Sequence, residues 1–226
     1  MRLLWVFVAF GLGASLTWYY QEAVFRWLLA PARGHLSETG QPIFTSPTEM
    51  MAVTTNLAVL GGVVVAFPVL VYHVARFLNP IMSPRCRKFV IVFLPASLAC
   101  YLAGVAFAYW VLLPTGLTFL LQFGSDVAVP MIRISEYMSL VQAMLFWLGV
   151  VFELPLAMFL AVKFRLVSYK RLKRLRVYVP ITALFLSMII TPTTDWVNQG
   201  LVAVPIVVLY EVGMVLAFLA RPRGKV

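Results

Sequence analysis

Six long apolar segments, separated by short polar connections, make up most of this chain. They run over residues 3–20, 51–78, 89–113, 137–162, 177–190 and 200–220. A bilayer core about 30 Å thick needs roughly 20 apolar residues of helix, because every peptide group must be hydrogen-bonded within its own segment. The pattern therefore predicts an all-α membrane protein, a single polytopic domain over residues 1–226 with six transmembrane helices.

The first and fifth segments depart from the ordinary pattern of a span. The first resembles a signal peptide, but Trp18, Tyr19 and Tyr20 stand where a cleavage site needs small residues, which favours a retained span. The fifth holds 14 residues between Arg176 and Thr191. A straight helix of that length covers only about 21 Å. We therefore expect the bilayer to thin on that side of the molecule.

Two connections carry apolar and aromatic residues of their own. Gln21 to Leu29 and Thr115 to Phe123 suit short helices that lie at the membrane interface. Pro114 is expected to end the third span, because proline removes a helical hydrogen bond and clashes with the preceding turn. The pair Gly61-Gly62 predicts close packing between helices.

The charged residues, only 12% of the chain, carry information on orientation. Lys and Arg gather at residue 2, at 85–88, at 163–176 and at 221–225. The positive-inside rule then places both termini and the two basic loops in the cytoplasm, which requires an even number of spans. The net charge of +10 is thus an orientation signal that also attracts anionic lipid, and nucleic acid is not an expected partner.

Two carboxylates, Glu153 and Glu211, stand inside apolar segments. Each precedes by ten residues the base that closes its segment, Lys163 or Arg221, so both are expected about 15 Å from the cytoplasmic boundary. An isolated carboxylate in hydrocarbon costs at least about 2.5 kcal/mol. No Lys or Arg is expected at that depth to pair with either of them.

Three environments would make such a carboxylate tolerable. It is protonated, it is hydrogen-bonded to a polar neighbour such as Gln142 or Tyr210, or it opens onto a water-filled concavity. A neutral glutamic acid that only bonds neighbouring helices together is the alternative for both residues. Pro155 favours a bend beside Glu153, which favours the cavity there.

Catalysis is not expected from this sequence. It contains no Ser-His-Asp set, no nucleotide-binding loop and no zinc-ligand spacing, and its two cysteines form no metal motif. No cofactor or metal is therefore predicted. One function that the carboxylates allow is a proton-coupled secondary transporter or channel for a small solute, with Glu153 and Glu211 as a relay. The paired halves and discontinuous helices of such transporters are not visible.

Several stretches resemble the TatC family, the multispanning subunit of the twin-arginine protein translocase. They follow the family's order and spacing: Ser46-Pro47-Thr48-Glu49, Phe67-Pro68-Val69-Leu70-Val71-Tyr72, Phe77-Leu78-Asn79-Pro80, Phe152-Glu153-Leu154-Pro155, Thr191-Pro192 and Leu209-Tyr210-Glu211. The resemblance covers nearly all of residues 3–219. It implies a glove-shaped, concave bundle of six helices with two short final spans, in the inner (plasma) membrane.

The function implied by the resemblance is export of folded proteins. Such a subunit binds twin-arginine signal peptides and assembles with TatA- and TatB-type single-span proteins in hetero- and homo-oligomers, driven by the proton gradient. Glu153 matches the family's intramembrane glutamate on the concave face, and Asp195 and Gln199 match polar positions at its outer end. Glu211 is a further candidate for partner or signal-peptide binding.

Two features depart from the family pattern. Members usually begin with a cytoplasmic segment carrying His-Leu-x-Glu-Leu-Arg, whereas this sequence begins almost at its first span, so either its start lies elsewhere or it is divergent. The first basic loop reads Arg85-Cys86-Arg87-Lys88 where the family has an acidic residue before paired bases. Because guanidinium groups are repelled there, we expect weak signal docking at Cys86 and Arg87. A scaffold that has lost cargo binding is a third hypothesis.

Overall fold

Helices form nearly all of the described chain. A computed structural model describes residues 2–32, 42–78, 84–122, 131–191 and 196–221, with the backbone alone at 2–3, 32, 74–78, 84–94 and 121–122. The α-helices in these ranges are α1 Arg2–Tyr19, α2 Gln21–Leu29, α3 Glu49–Leu78, α4 Pro84–Phe107, α5 Leu113–Gln122, α6 Ile134–Phe152, α7 Leu154–Lys163, α8 Tyr169–Leu175, α9 Val179–Ile190 and α10 Trp196–Leu219. The predicted all-α class is confirmed.

Each of the six predicted segments coincides with helix. In the described part of the chain, four stretches are long and apolar enough to cross a membrane: Glu49–His73, Pro95–Leu120, Ile134–Lys163 and Trp196–Leu219. The apolar stretch of α1, Leu4–Tyr19, is shorter. The crossing of all six segments and the cytoplasmic location of both ends stay predictions.

The fifth segment is even shorter than the sequence indicates. α9 has 12 residues and follows a 3-10 turn over Arg176–Tyr178, so it covers about 18 Å. The neighbouring α10 has 24 residues and covers about 36 Å. The thinning of the bilayer around α9 stays a prediction.

Pro114 does not end the third helical segment, contrary to the expectation from sequence. A π-helical turn over Ala108–Leu112 lies between α4 and α5, and the helix continues through Pro114 to Gln122. The proline ring would clash with a carbonyl one turn earlier in a regular α-helix, and the wider π-turn relieves that clash. The helix predicted at Thr115 to Phe123 is therefore, as far as Gln122, a continuation of the same helical segment.

The other predicted short helix, α2, lies at its predicted residues and is fixed by two tyrosines. The Tyr109 and Tyr137 hydroxyls donate to the carbonyls of Trp27 and Leu28, each at 2.7 Å. These carbonyls lie in the last turn of α2, where the regular helical ladder ends, and the Trp27 carbonyl also accepts from the Ala30 amide. Trp27 also stacks on Tyr109 with ring centroids 4.1 Å apart. α2 is thereby held against the bundle.

Glycines allow two helix pairs to approach closely. α1 packs along α3, where a Cβ on Gly62 would lie 2.8 Å from the Phe10 carbonyl oxygen. α4 packs along α6, where a Cβ on Gly104 would lie 2.5 Å from the Leu148 carbonyl oxygen. Because both obstacles are backbone atoms, the helices would have to separate. The close packing predicted from Gly61-Gly62 is confirmed.

Candidate functional site

Glu153 lies at a break between two helices. α6 ends at Phe152, Glu153 is a turn residue, and α7 begins at Leu154 with Pro155 in its first turn. The Glu153 amide donates to the Val150 carbonyl at 3.1 Å, a tighter turn than the α-helical one. Proline has no amide hydrogen to continue the ladder, so the break follows from Pro155. The helix is thus interrupted where the sequence predicts a bend, and the bend itself stays a prediction.

The Glu153 carboxylate is bonded by a serine from another helix. Ser97 of α4, which is only 1% exposed, donates its hydroxyl to Glu153 Oε1 at 2.7 Å. Glu153 itself is half-buried, and none of the ion pairs formed by the described residues includes it. The sequence named Gln142 and Tyr210 as possible partners, and the actual one is Ser97. A single serine in an apolar run carries no sequence signal for such a role.

α10 packs against the break. A Cβ on Gly213 would lie 2.6 Å from Met158 Sδ and 3.1 Å from the Pro155 Cα, so the glycine admits α7 to close range. Glu153 lies two residues before Pro155, and Glu211 lies two residues before Gly213. The two carboxylates therefore share a level in the bundle, as the sequence predicted, on neighbouring helices.

Glu211 has a cationic partner, which corrects the expectation that no Lys or Arg lies at its depth. Arg176 Nε donates to Glu211 Oε1 at 2.6 Å. The side chains remain 58% and 41% exposed, respectively. The sequence estimate counted depth from Arg221 and treated Arg176 as part of a loop at the membrane boundary. In the structure, the segment that contains Arg176 packs alongside α10 as far as Glu211.

Tyr210 fixes this segment against α10. Its hydroxyl donates to the Leu172 carbonyl of α8 at 2.6 Å, and both residues belong to a small apolar cluster with Met158, Val162 and Met214. α8 is thus held against α10 one turn away from Arg176. The ion pair is also consistent with the short α9. Arg176 lies 14 residues before Ile190, the last residue of α9, and Glu211 lies 15 residues after Trp196, the first residue of α10. The two antiparallel segments therefore reach the ion pair over similar lengths.

The structure does not bring the other predicted site residues to the level of Glu153 and Glu211. Gln199 is half-buried in the first turn of α10, about 21 Å along the helix from Gly213. Asp195 lies outside the described residues. Cys86 and Arg87 lie in the first turn of α4, where the structure describes no side chains. The structure therefore joins Glu211 to the level of Glu153 and leaves the roles of the other four as predictions.

A second polar cluster, missed from the sequence, surrounds Glu49 at the start of α3. This carboxylate is 8% exposed. It accepts from the Thr45 amide at 2.8 Å, from the Ser135 hydroxyl at 2.5 Å and from Arg133 Nη2 at 3.4 Å. The run Ser46-Pro47-Thr48-Glu49 has the Ser-x-x-Glu signature of a helix start. That signature indicates a hydrogen bond with the residues just before the helix. It does not indicate Arg133 and Ser135, which lie 84 and 86 residues away in the chain.

The Glu49 cluster ties together two connections at one end of the bundle. Beside it, the Ile43 amide donates to the Ile132 carbonyl at 3.0 Å, and the Ile134 amide donates to the Ile43 carbonyl at 2.9 Å. This isolated bridge and the carboxylate together fix the start of α3 to the start of α6. The cluster is a structural tie at the end opposite Arg176.

The fold and these sites define a class. Apolar helices long enough to cross a bilayer, with a half-buried carboxylate at a helix break, make this a multi-pass membrane protein with a polar site inside its spans. The family model described as "Sec-independent protein translocase protein (TatC)" matches residues 1–205. The chain belongs to the TatC family.

Individual relatives and solved structures agree with this assignment. The Sec-independent protein translocase protein TatC of Koribacter versatilis is 31% identical over 99% of this chain and 83% of its own length. That of Aquifex aeolicus is 30% identical over 99% of this chain and 93% of its own length. A crystal structure of a twin arginine translocase receptor, TatC, superposes with a TM-score of 0.85 at 29% identity, covering 97% of this chain and 96% of that one.

Proposed function

We propose that this chain is a TatC-type core subunit of the twin-arginine translocation pathway in the inner membrane. In this role it binds the signal peptides of folded cargo and gathers single-span partners of the TatA and TatB type, with no catalytic turnover of its own. The observation that carries the proposal is Glu153, a half-buried carboxylate held at a helix break by Ser97. A carboxylate inside a span is costly, and its usual use is to meet a polar group of a partner or substrate.

Glu153 keeps bonding capacity for such a partner. A carboxylate offers about four lone-pair sites, and among the described residues Ser97 uses one of them. The break in the helix also leaves backbone groups near Glu153 outside the regular ladder. A polar side chain on a partner's transmembrane helix, or a polar group of a signal peptide, would find acceptors at this level.

The alternative of a proton relay through both carboxylates has less support. Glu211 is bonded to Arg176, so this carboxylate already has a cationic partner within the chain. Glu211 therefore fits a structural role better than a relay. We assign Glu153 alone to partner binding.

The proposal is tested by export. The chain and its own single-span partners are produced in a bacterium that lacks TatC, with a folded reporter that carries a twin-arginine signal. We expect the unaltered chain to restore export and Glu153→Ala to abolish it, together with loss of the high-mass complex on a native gel. Glu22→Ala is the matched control, because Glu22 is an exposed carboxylate that pairs only locally with Arg26.

Two results would contradict the proposal. Failure of the unaltered chain to restore export, with the protein present in the membrane and its partners co-produced, would remove the translocase function. Unchanged export and an unchanged complex in Glu153→Ala would remove Glu153 from the site. Uptake of a small solute by the purified chain in proteoliposomes would favour the transporter instead.

Docking of the signal's arginine pair is proposed to be weak in this chain because of Cys86. A carboxylate would attract two guanidinium groups, whereas a thiol between Arg85 and Arg87 does not offset their repulsion. Cys86→Glu should therefore strengthen binding of a labelled twin-arginine peptide, and Cys86→Gln should leave it unchanged. Near-stoichiometric crosslinking of the peptide to unaltered Cys86, dependent on both arginines, would contradict weak docking.

A further inference from the structure

A basic cavity of about 410 Å³ lies where α7 and α10 end and α8 begins. Arg165, Lys170 and Arg221 line it from three different segments: the turn after α7, the first turn of α8, and the second residue after the end of α10. Val162 and Val167 form its apolar side. The cavity therefore combines converging cations with an apolar wall at the ends of two predicted spans.

Arg221 is held in place by aromatic rings. Its guanidinium carbon lies 3.5 Å from the ring centroid of Tyr169 and 4.6 Å from that of Phe218. Stacking on a ring face is favourable for a cation and leaves the N–H donors at the guanidinium edge directed outward. Arg221 is thereby pre-organised to bind a planar or tetrahedral oxyanion.

Arg165 is held by a tight turn. Its φ of 60° lies in the left-handed region, which is uncommon for a residue other than glycine. The amides of Leu166 and Val167 both donate to the Ala161 carbonyl, at 2.9 and 3.1 Å, and maintain this turn. The geometry directs the chain back toward α8 so that Arg165 and Lys170 share one cavity.

The positive charge of the cavity is not neutralised within the described residues. None of the ion pairs there includes Arg165, Lys170 or Arg221. Glu211, the acid nearest to Arg221 in the sequence, is bonded to Arg176. The Ser168 hydroxyl, which also lines the cavity, accepts from the Arg171 amide at 3.4 Å and keeps its own proton to donate. An anion with several oxygen atoms would satisfy these groups.

We propose that this cavity binds the phosphate headgroup of an anionic membrane lipid. Basic pockets at the ends of transmembrane helices suit such headgroups, because the cations meet the phosphate while acyl chains continue along the apolar helices. Val162, Tyr169 and Phe218 provide that apolar continuation beside the charges. This inference deepens the proposed attraction of anionic lipid to the basic loops and depends on the proposed function only for location in a membrane.

Lipid retention on the purified full-length chain tests the proposal. The chain is incubated in mild detergent with phosphatidylglycerol or with phosphatidylcholine of the same acyl chains, and bound lipid is measured by native mass spectrometry. The triple variant Arg165→Gln, Lys170→Gln and Arg221→Gln should lose phosphatidylglycerol by about fivefold for each removed base. The matched control removes three exposed bases of α8 outside the cavity, Arg171, Lys173 and Arg174, by the same change.

The outcomes separate the possible explanations. Strong retention of phosphatidylglycerol that falls in the cavity variant alone supports the site. An equal fall in the control variant would show diffuse attraction and overturn it, as would equal retention of phosphatidylcholine. Displacement of the lipid by millimolar inorganic phosphate would assign the cavity to a soluble anion and also overturn it. A chain that retains lipid but restores no export would leave this inference standing and defeat the proposed function.

Discussion

Arg176 Nε lies 2.6 Å from Glu211 Oε1, and this pair joins the loop before α9 to the middle of α10. On this side of the bundle, charged side chains begin at the level of this pair. Glu211 lies ten residues before Arg221. The early start of α9 and the position of Glu211 within the apolar α10 are therefore one feature of the fold.

Exchanging the two charges tests this relationship. Arg176→Glu alone should lower the unfolding midpoint, because it places two carboxylates together, whereas Arg176→Glu with Glu211→Arg should restore most of the loss. For a partly exposed pair we expect about 1 kcal/mol. Thermal unfolding in detergent measures the difference. A double exchange no more stable than Arg176→Glu would show that the pair makes no specific contribution.

Ser97→Ala should remove the hydrogen bond that positions the Glu153 carboxylate while leaving the carboxylate itself in the site. Loss of a buried hydroxyl that donates to a carboxylate costs about 1–3 kcal/mol, and the freed carboxylate should bind its partner less specifically, so we expect reduced export. Ser187→Ala is the control, because Ser187 is equally buried but donates to the Leu184 carbonyl of its own helix. Equal export in the two variants, at equal protein levels, would exclude a role of Ser97 in positioning Glu153.

Glu49→Ala should be strongly destabilising. It leaves the Ser135 hydroxyl and the Thr45 amide without their acceptor and removes a buried partner of Arg133, for which we expect a loss of about 3 kcal/mol. Glu136 pairs with the same Arg133 at 3.7 Å but is 72% exposed. Glu136→Ala should therefore cost at most about 1 kcal/mol. Similar losses in both variants, measured by thermal unfolding, would argue against Glu49 as the main tie.

Gly104→Ala should separate α4 from α6. The added methyl would lie 2.5 Å from a backbone oxygen of Leu148, which cannot rotate away, so we expect a loss of about 1–3 kcal/mol. Gly11→Ala meets nothing within 4 Å and should be neutral or stabilising by up to about 1 kcal/mol through helix propensity. If the two variants unfold at the same temperature, the close contact of α4 and α6 is not rigid.

Local patterns in the sequence predicted the fold better than the contacts of the site. The bounds of α2 and the helix interruption at Glu153 follow from residues next to each other in the chain. The partner of Glu211 did not follow, because depth was counted along a straight segment while the chain before α9 descends beside α10. Glu49 and Ser97 were missed because their partners come from distant helices. A serine in an apolar run looks the same whether or not a carboxylate faces it.

Accessibility of position 153 tests the central claim most directly. Glu153→Cys is made in a chain with Cys86→Ser and Cys100→Ser and exposed in native membranes to a small, water-soluble thiol reagent. Val151→Cys, at a position 5% exposed, is the buried control. We predict that position 153 reacts with the reagent, because it opens onto water, whereas position 151 does not. No reaction at position 153 would mean that this side chain faces lipid or a dry helix contact and does not form a binding surface.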